Sequence, residues 1–409
     1  AIKNLSDELK KKHTIDLSNA LREGKSGLMI HTAGDSTRMV LARCENNKPL
    51  IEIIPGMSIM DGAIKENQGM AVPGKLLVGW GDQLIFPGAS DLKENLTKLS
   101  QGHHVLLFGI DYPEEQFSES DAKSFGWQII LDGYKLLGFD DTRDYRLIKE
   151  RIAKLKAQGH QVTIRWNMGG FALSPEVIEL LFAAFKEELD KREGSFNSDE
   201  IWQAWVAEDE ETFVKEMAKG DEKKAKAARY TYNKAKSVKD ALIGRYGPES
   251  LIASVTLGTK ETALQFDFGT NVSYTETLMG LVGYDNKSEA LREFMGLGKV
   301  DAKESNLTIA NSIKENSAIA QGTITDSVVV NSHINSAKIE KCLIQHSFLN
   351  KVSGKAGVLF NVVDHGDIAI EEGMIIFDAF HPEKGQLRFR IKIGEEKADK
   401  KLWWQAIIH

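Results

Sequence analysis

Cysteine is scarce in this 409-residue chain, which has two. Cys44 and Cys342 stand so far apart that neither a disulfide framework nor a cysteine-rich metal site is suggested. Long apolar runs are missing as well. The run Val105–Ile110 is far too short to span a bilayer, so no membrane partner is expected. Positive charge is not in excess either. The formal net charge is -7, whereas a general nucleic-acid binder needs a clustered positive surface. The opening residues Ala1-Ile2-Lys3-Asn4 lack the basic and apolar parts of a secretion signal, and the expected location is cytoplasmic. A phosphorylated small molecule stays open as a ligand, because it needs only a few local cations.

With 42% hydrophobic and 27% charged residues the chain reads as an ordinary globular protein, and its length suggests two or three domains. Residues 1–26 form a polar helical lead-in. From 27 to about 190, apolar runs at 27–31, 76–80, 104–109, 127–131 and 162–166 alternate with helical patterns at 115–124, 145–157 and 175–192. In the last of these Val177, Leu180, Leu181, Ala184 and Phe185 fall on one face. This alternation predicts an α/β fold, a Rossmann-like, mainly parallel sheet covered on both sides. Residues 197–246 read as a helical insertion with Trp202, Trp205, Phe213 and Met217 on one stripe, and lysines crowd 215–239. That lysine run reads as a solvated helical face, or as a surface from which one or two lysines reach a phosphate. Strand pattern returns over 249–270 and helix over 271–295.

The chain then repeats itself. Residues 309–323, 324–338, 339–353 and 354–368 align with a fifteen-residue period. Ser312, Ser327, Cys342 and Gly357 share a small-residue column. Ile313, Val328, Leu343 and Val358 share the next, and Ile319, Ile334 and Leu349 a third. Aliphatics about every five positions predict a β-solenoid with three short flat sides, each coil burying its aliphatics on the coil above. The solenoid spans 299–368. Residues 369–409, with Trp403-Trp404 near their end, read as strands capping it, and the solenoid also offers a surface for homo-oligomerisation.

Four short elements carry the chemistry. A buried strand (27–30) stops at the small, polar turn Thr32-Ala33-Gly34-Asp35-Ser36-Thr37 with Arg38 just beyond. Small residues and backbone N–H groups at a strand end, with a cation nearby, suit a polyphosphate. Lys48-Pro49-Leu50 follows ten positions later. Trp80-Gly81-Asp82-Gln83 and Asp267-Phe268-Gly269-Thr270 each place a carboxylate at a strand end. In a parallel sheet such ends converge on one crevice, where two carboxylates can share a Mg²⁺. Phosphoryl-type transfer needs positioning, metal and positive charge and little else.

These elements, in this order, resemble the sugar-1-phosphate nucleotidyltransferases, the NDP-sugar pyrophosphorylase family. Its members carry a Gly-x-Gly-Thr-Arg-type turn, a Pro-Lys-Pro-Leu segment, a Gly-Asp metal motif and a later Asp-x-Gly-Thr. The stretch Asn167-Met168-Gly169-Gly170 is similar to the family's sugar-site motif, and many members end in a left-handed β-helix. The resemblance covers roughly 27–368. It implies a GT-A-like nucleotidyltransferase domain over 27–298 and the joining of an NTP to a sugar-1-phosphate with release of pyrophosphate. Arg38 and Lys48 would be the catalytic cations, and Ala33, Gly34, Asp35, Ser36 and Thr37 would cradle the nucleotide. Asp82 and Asp267 would bind Mg²⁺, and Asn167, Gly169, Gly170 and Thr270 would line the sugar site. His31 before the turn resembles the GDP-fucose pyrophosphorylase branch, which places GTP ahead of UTP as the nucleotide.

The sequence departs from the family in two places. Ser36 replaces the second glycine of the turn, and Gly138-Phe139-Asp140-Asp141-Thr142 stands where the family has Glu-Lys-Pro. These departures keep a second reading open: a non-catalytic subunit that binds a nucleotide or sugar nucleotide and assembles through its solenoid. An acyltransferase reading of the solenoid would need a long loop with a catalytic histidine between coils, and the repeats run without insertion.

Overall fold

The computed structural model describes residues 1–31, 50–124, 126–140, 144–191 and 198–394. The chain forms two compact units. The first comprises 1–31, 65–80 and 85–264, the second 32–64, 81–84 and 265–409.

The first unit is built on a seven-stranded sheet: β1 (Gly27–His31), β2 (Leu76–Trp80), β3 (Val105–Tyr112), β4 (Trp127–Leu131), β5 (Lys135–Asp140), β6 (Val162–Leu173) and β7 (Ile252–Thr259), in the order β1-β2-β6-β3-β7-β5-β4. The sheet is mixed, which corrects the mainly parallel expectation. β1 pairs with β2 and β3 with β7 in parallel. The other pairings, β2–β6, β6–β3, β7–β5, β5–β4 and β4–β6, are antiparallel. Two causes lie in the chain. β6 runs twelve residues, far beyond the expected 162–166, and inserts in reverse between the two parallel pairs. β4 and β5 form a hairpin whose turn holds Asp132 at φ 52° and Gly133 at φ 78°. An Asp-Gly pair at positive φ is a strong hairpin signal, and the strand candidates above omit β5.

Two lead-in helices, Ile2–His13 and Leu17–Arg22, precede β1, and the Asp16 carboxylate caps the second by accepting from Asn19 N at 3.0 Å. Helix Pro175–Ala184 starts at N-cap Ser174 with proline in its first turn. Its Val177 and Ile178 join Trp202, Trp205 and Phe213 of the helical insertion in one core. The 25-residue helix Glu222–Tyr246 carries most of the lysine run. Lys223, Lys224, Lys226 and Lys236 are exposed. Two others do a different job: Lys234 Nζ donates to the Ala184 carbonyl at 2.5 Å, and Lys239 Nζ donates to the Trp205 carbonyl. Each neutralises the carbonyl end of a neighbouring helix.

The second unit carries the repeats as a parallel β-solenoid. Ile313, Val328, Leu343, Val358 and Ile375 stack in register, one per coil. Each coil has three sides, for example 322–325, 328–330 and the start of His333–Glu340. Two corners per coil are left-handed: Asn311, Asp326, Lys341 and Ala356 at one, Asn316, Asn331, His346 and Asn361 at the next, all with φ between 44° and 54°. Asn and Asp tolerate this conformation, while other residues there cost about 1–2 kcal/mol each. Fully buried serines turn the small-residue column into a ladder. Ser327 Oγ donates to the Thr325 carbonyl (2.6 Å) and accepts from Cys342 N in the next coil (3.1 Å), and Ser312 treats Ser327 N the same way (3.2 Å).

The aliphatic columns need one correction. Ile334 and Leu349 point into the solenoid, as expected, but the inward residues of the neighbouring side are Val329, Ile344, Leu359 and Ile376. Strand alternation therefore puts the Ile313–Val328–Leu343–Val358 column on the outer surface. That column is nonetheless buried, because other parts of the second unit cover it. Helix Asn271–Met279 packs on strand Leu343–Gln345, and the Tyr274 hydroxyl donates to Gln345 Oε1 at 2.7 Å. The strands Met374–His381 and Gly385–Lys392 close the described part of the solenoid as an antiparallel pair, and Trp403-Trp404 lies outside the described residues. Among the described residues no helix is long and apolar enough to cross a membrane.

Candidate functional site

The proposed phosphate turn, Ala33 to Thr37 with Arg38, and the second cation Lys48 lie outside the described residues. The strand leading into the turn is described. β1 ends at His31, which pairs in register with Trp80 at the end of β2, and the two rings are 5.3 Å apart. Against this pair lies Gly169 of β6, at φ 72°. A Cβ there would sit 2.3 Å from Trp80 Nε1, so only glycine fits. The same strand end thus collects His31, Trp80 and Gly169, the first glycine of Asn167-Met168-Gly169-Gly170. At Gly170 a Cβ would lie 3.4 Å from the Val78 carbonyl, a closeness its neighbours can absorb.

Asn167 ends a buried polar chain that sequence reasoning missed. Its Oδ1 accepts from Gln128 Nε2 at 2.9 Å. Gln128, with no exposure, also donates to the Phe108 carbonyl at 3.1 Å and accepts from Ser254 Oγ at 2.5 Å. The β3–β6 register shifts between Leu107 and Gly109, beside the carbonyl that takes this bond. Arg165, 3% exposed, donates to Ser254 Oγ and O, both at 2.9 Å, to the Gly133 carbonyl at 2.7 Å and to Asp111 Oδ1 at 2.5 Å. Asp111 Oδ2 accepts from Thr256 at 2.9 Å. The signal was available. Gln128, Arg165 and Ser254 each interrupt an apolar strand, and buried polar groups require partners.

In the second unit, Asp82 and Asp267 come together through the backbone. Phe268 N donates to the Asp82 carbonyl at 2.9 Å, and Gln265 Nε2 lies 3.4 Å from Gln83 Oε1. Asp82 is half-buried and Asp267 exposed. Asp267 Oδ1 accepts from Gly269 N at 2.6 Å, which holds the carboxylate over its own turn. Thr270 has a structural task. It caps helix Asn271–Met279 in a capping box with Ser273, its Oγ1 accepting from Ser273 N at 3.1 Å. Among the described residues no group of three or more His, Cys, Asp or Glu could hold a metal by itself. Two carboxylates, with water and substrate phosphate completing the shell, are a kind of donor set that Mg²⁺ accepts.

No family model matches this chain, and neither does any curated protein. Among solved structures, that of mannose-1-phosphate geranyltransferase from Thermus thermophilus is similar, with a TM-score of 0.38 and 12% identity over 91% of this chain and 96% of that one.

Proposed function

We propose that this protein is a sugar-1-phosphate nucleotidyltransferase, joining an NTP and a sugar-1-phosphate to give an NDP-sugar and pyrophosphate. The observation that carries the reading is the 2.9 Å bond from Phe268 N to the Asp82 carbonyl. It sets side by side two strand ends, 185 residues apart in sequence by subtraction of their aspartates' numbers (267 − 82), that hold the two acidic motifs of the sequence. Asp82 and Asp267 would hold Mg²⁺, which when bound supplies positive charge to the phosphate oxygens. Arg38 and Lys48 neutralise the triphosphate and the incoming sugar phosphate, while backbone N–H groups from Ala33 to Thr37 cradle the nucleotide. Asn167, Gly169, Gly170 and Thr270 are the residues that the sequence resemblance offers to the sugar. A phosphate oxygen of the sugar-1-phosphate attacks the α-phosphorus in line. The new P–O bond forms as the α–β bridge breaks, and pyrophosphate leaves with the bridging electron pair. GTP is the first nucleotide to try and UTP the second.

The test is pyrophosphate release from a matrix of NTPs and sugar-1-phosphates with Mg²⁺. Asp82→Asn and Asp267→Asn should each lower kcat at least about 100-fold, the scale of losing several kcal/mol of charge stabilisation, with Tm within a few degrees of the parent. The second reading, a non-catalytic nucleotide-binding subunit, is motivated by Ser36 in the phosphate turn. Nucleotide binding without pyrophosphate from any pair would establish it and overturn the first.

A further inference from the structure

The chain of bonds behind Asn167 fixes more than its position. Amide orientation is set by polarity, and here two groups of known polarity anchor the chain. At one end the Phe108 carbonyl can only accept, so the Gln128 atom 3.1 Å from it is the NH₂ group. At the other end the Arg165 guanidinium can only donate, so Ser254 Oγ accepts from it at 2.9 Å and gives its own proton to Gln128 Oε1 at 2.5 Å. Both anchors agree on one orientation of Gln128. Its second N–H then meets Asn167 at 2.9 Å, and the Asn167 atom there has to be Oδ1. With Oδ1 committed, Asn167 has Nδ2 left over, and among the described residues that group has no partner.

We propose that Gln128, locked by Ser254 and Arg165, is a positioning residue that makes Asn167 a hydrogen-bond donor toward the ligand, so that the group read there is an acceptor oxygen of the sugar phosphate. The ligand class rests on the nucleotidyltransferase reading; the orientation of Asn167 does not. Gln128 never touches the ligand, since it is fully buried and both its N–H groups and its carbonyl oxygen are engaged. Without it, Asn167 loses its only side-chain partner among the described residues and can present either end of its amide. A half-fixed amide binds more weakly than a preorganised one.

The full chain is compared with Gln128→Leu and, as the milder break, Ser254→Ala, each checked for a cooperative melt. The first readout is the side-chain ¹⁵N–¹H pair of Asn167, assigned by its loss in Asn167→Asp. It should shift and broaden in Gln128→Leu and shift less in Ser254→Ala. The second is kinetic: the KM for sugar-1-phosphate should rise about tenfold in Gln128→Leu and two- to threefold in Ser254→Ala, with kcat and the KM for NTP within twofold of the parent. An unmoved Asn167 pair in a folded Gln128→Leu overturns the positioning claim whatever the activity, and so does a parallel rise of both KM values. If Gln128→Leu does not fold, Ser254→Ala decides by the same criteria. If no pair of substrates reacts in the parent while the Asn167 pair moves as stated, the nucleotidyltransferase reading fails and the positioning role stands.

Discussion

The sheet of the first unit and the solenoid of the second both bury polar side chains, and they satisfy them in opposite ways. The sheet uses one-off partners. Gln128, Ser254, Arg165, Asp111 and Asn167 come from four strands and meet once. The solenoid uses one solution repeatedly: a serine that donates to the carbonyl two residues back and accepts from the N–H fifteen residues on. A one-off network can place a single side chain such as Asn167 with a defined polarity, and none of its members has a substitute. A ladder places nothing in particular, and it tolerates a weak rung.

Glu66 is the extreme case on the first unit's side and should give the largest effect. It is 9% exposed. Its Oε2 accepts from Asn67 at 2.7 Å, and among the described residues Oε1 has no hydrogen-bond partner. Burial pushes its carboxyl up from 4.5 to about 8, against a smaller pull from the Ile85 backbone. The folded chain therefore keeps a proton that the unfolded chain releases between those values. Stability from this group is full below pH 4.5, falls as pH rises toward 8, and is flat above. The separation from 4.5 to about 8 corresponds to roughly 4–5 kcal/mol. Glu66→Gln should match the parent near pH 4.5 and exceed it by about that much at pH 9 in urea unfolding. Parallel pH profiles would show that the first unit meets this group's needs after all.

Arg165→Leu should come next. The change leaves Asp111 half-buried beside Thr256 without its cation, and it strips a donor from the Gly133 carbonyl and two from Ser254. Breaking a buried ion pair on one side costs about 3–5 kcal/mol, and Asp111 is about 30% exposed at its side chain, which places the expected loss near the lower figure. Adding Asp111→Asn should recover part of it. A loss below about 1 kcal/mol would mean that the network is no more demanding than one rung of the ladder.

The same contrast explains what could be read from the sequence. In the solenoid, neighbours in space are fifteen residues apart in the chain, so the coils, their three sides and the serine column are all visible as periodicity. The outward placing of the Ile313 column was hidden, because the segments that cover it, such as helix Asn271–Met279, lie outside the repeat. In the first unit, the strands at 27–31, 76–80 and 127–131 were legible from their apolar runs. Their directions were not, since strand order depends on pairings between distant residues. Gln128 reaches Phe108, Asn167 and Ser254, at separations of 20, 39 and 126 residues, and no local pattern joins those positions. Asp82 and Asp267 stood out in the sequence as carboxylates at strand ends, yet the bond joining Phe268 N to the Asp82 carbonyl emerges only from the fold.

The smallest effect is expected in the ladder, where the chain already contains its own substitution series. The column reads Ser312, Ser327, Cys342, Gly357. Cys342 keeps the serine pattern with a thiol: Sγ donates to the Glu340 carbonyl at 3.3 Å, and burial pushes that thiol up, so it stays protonated and able to donate. Gly357 drops the rung, and the space a Cβ would need is filled by Ile370 Cγ2, 2.1 Å away. Ser327→Cys should therefore be close to neutral. Ser327→Ala removes the acceptor for Cys342 N, which lies in the buried interior, and should cost about 1–2 kcal/mol. The flanking rungs from Ser312 and Cys342 stay intact, so the unfolding transition should remain cooperative. A loss from Ser327→Ala as large as that from Arg165→Leu would erase the distinction between a ladder and a network.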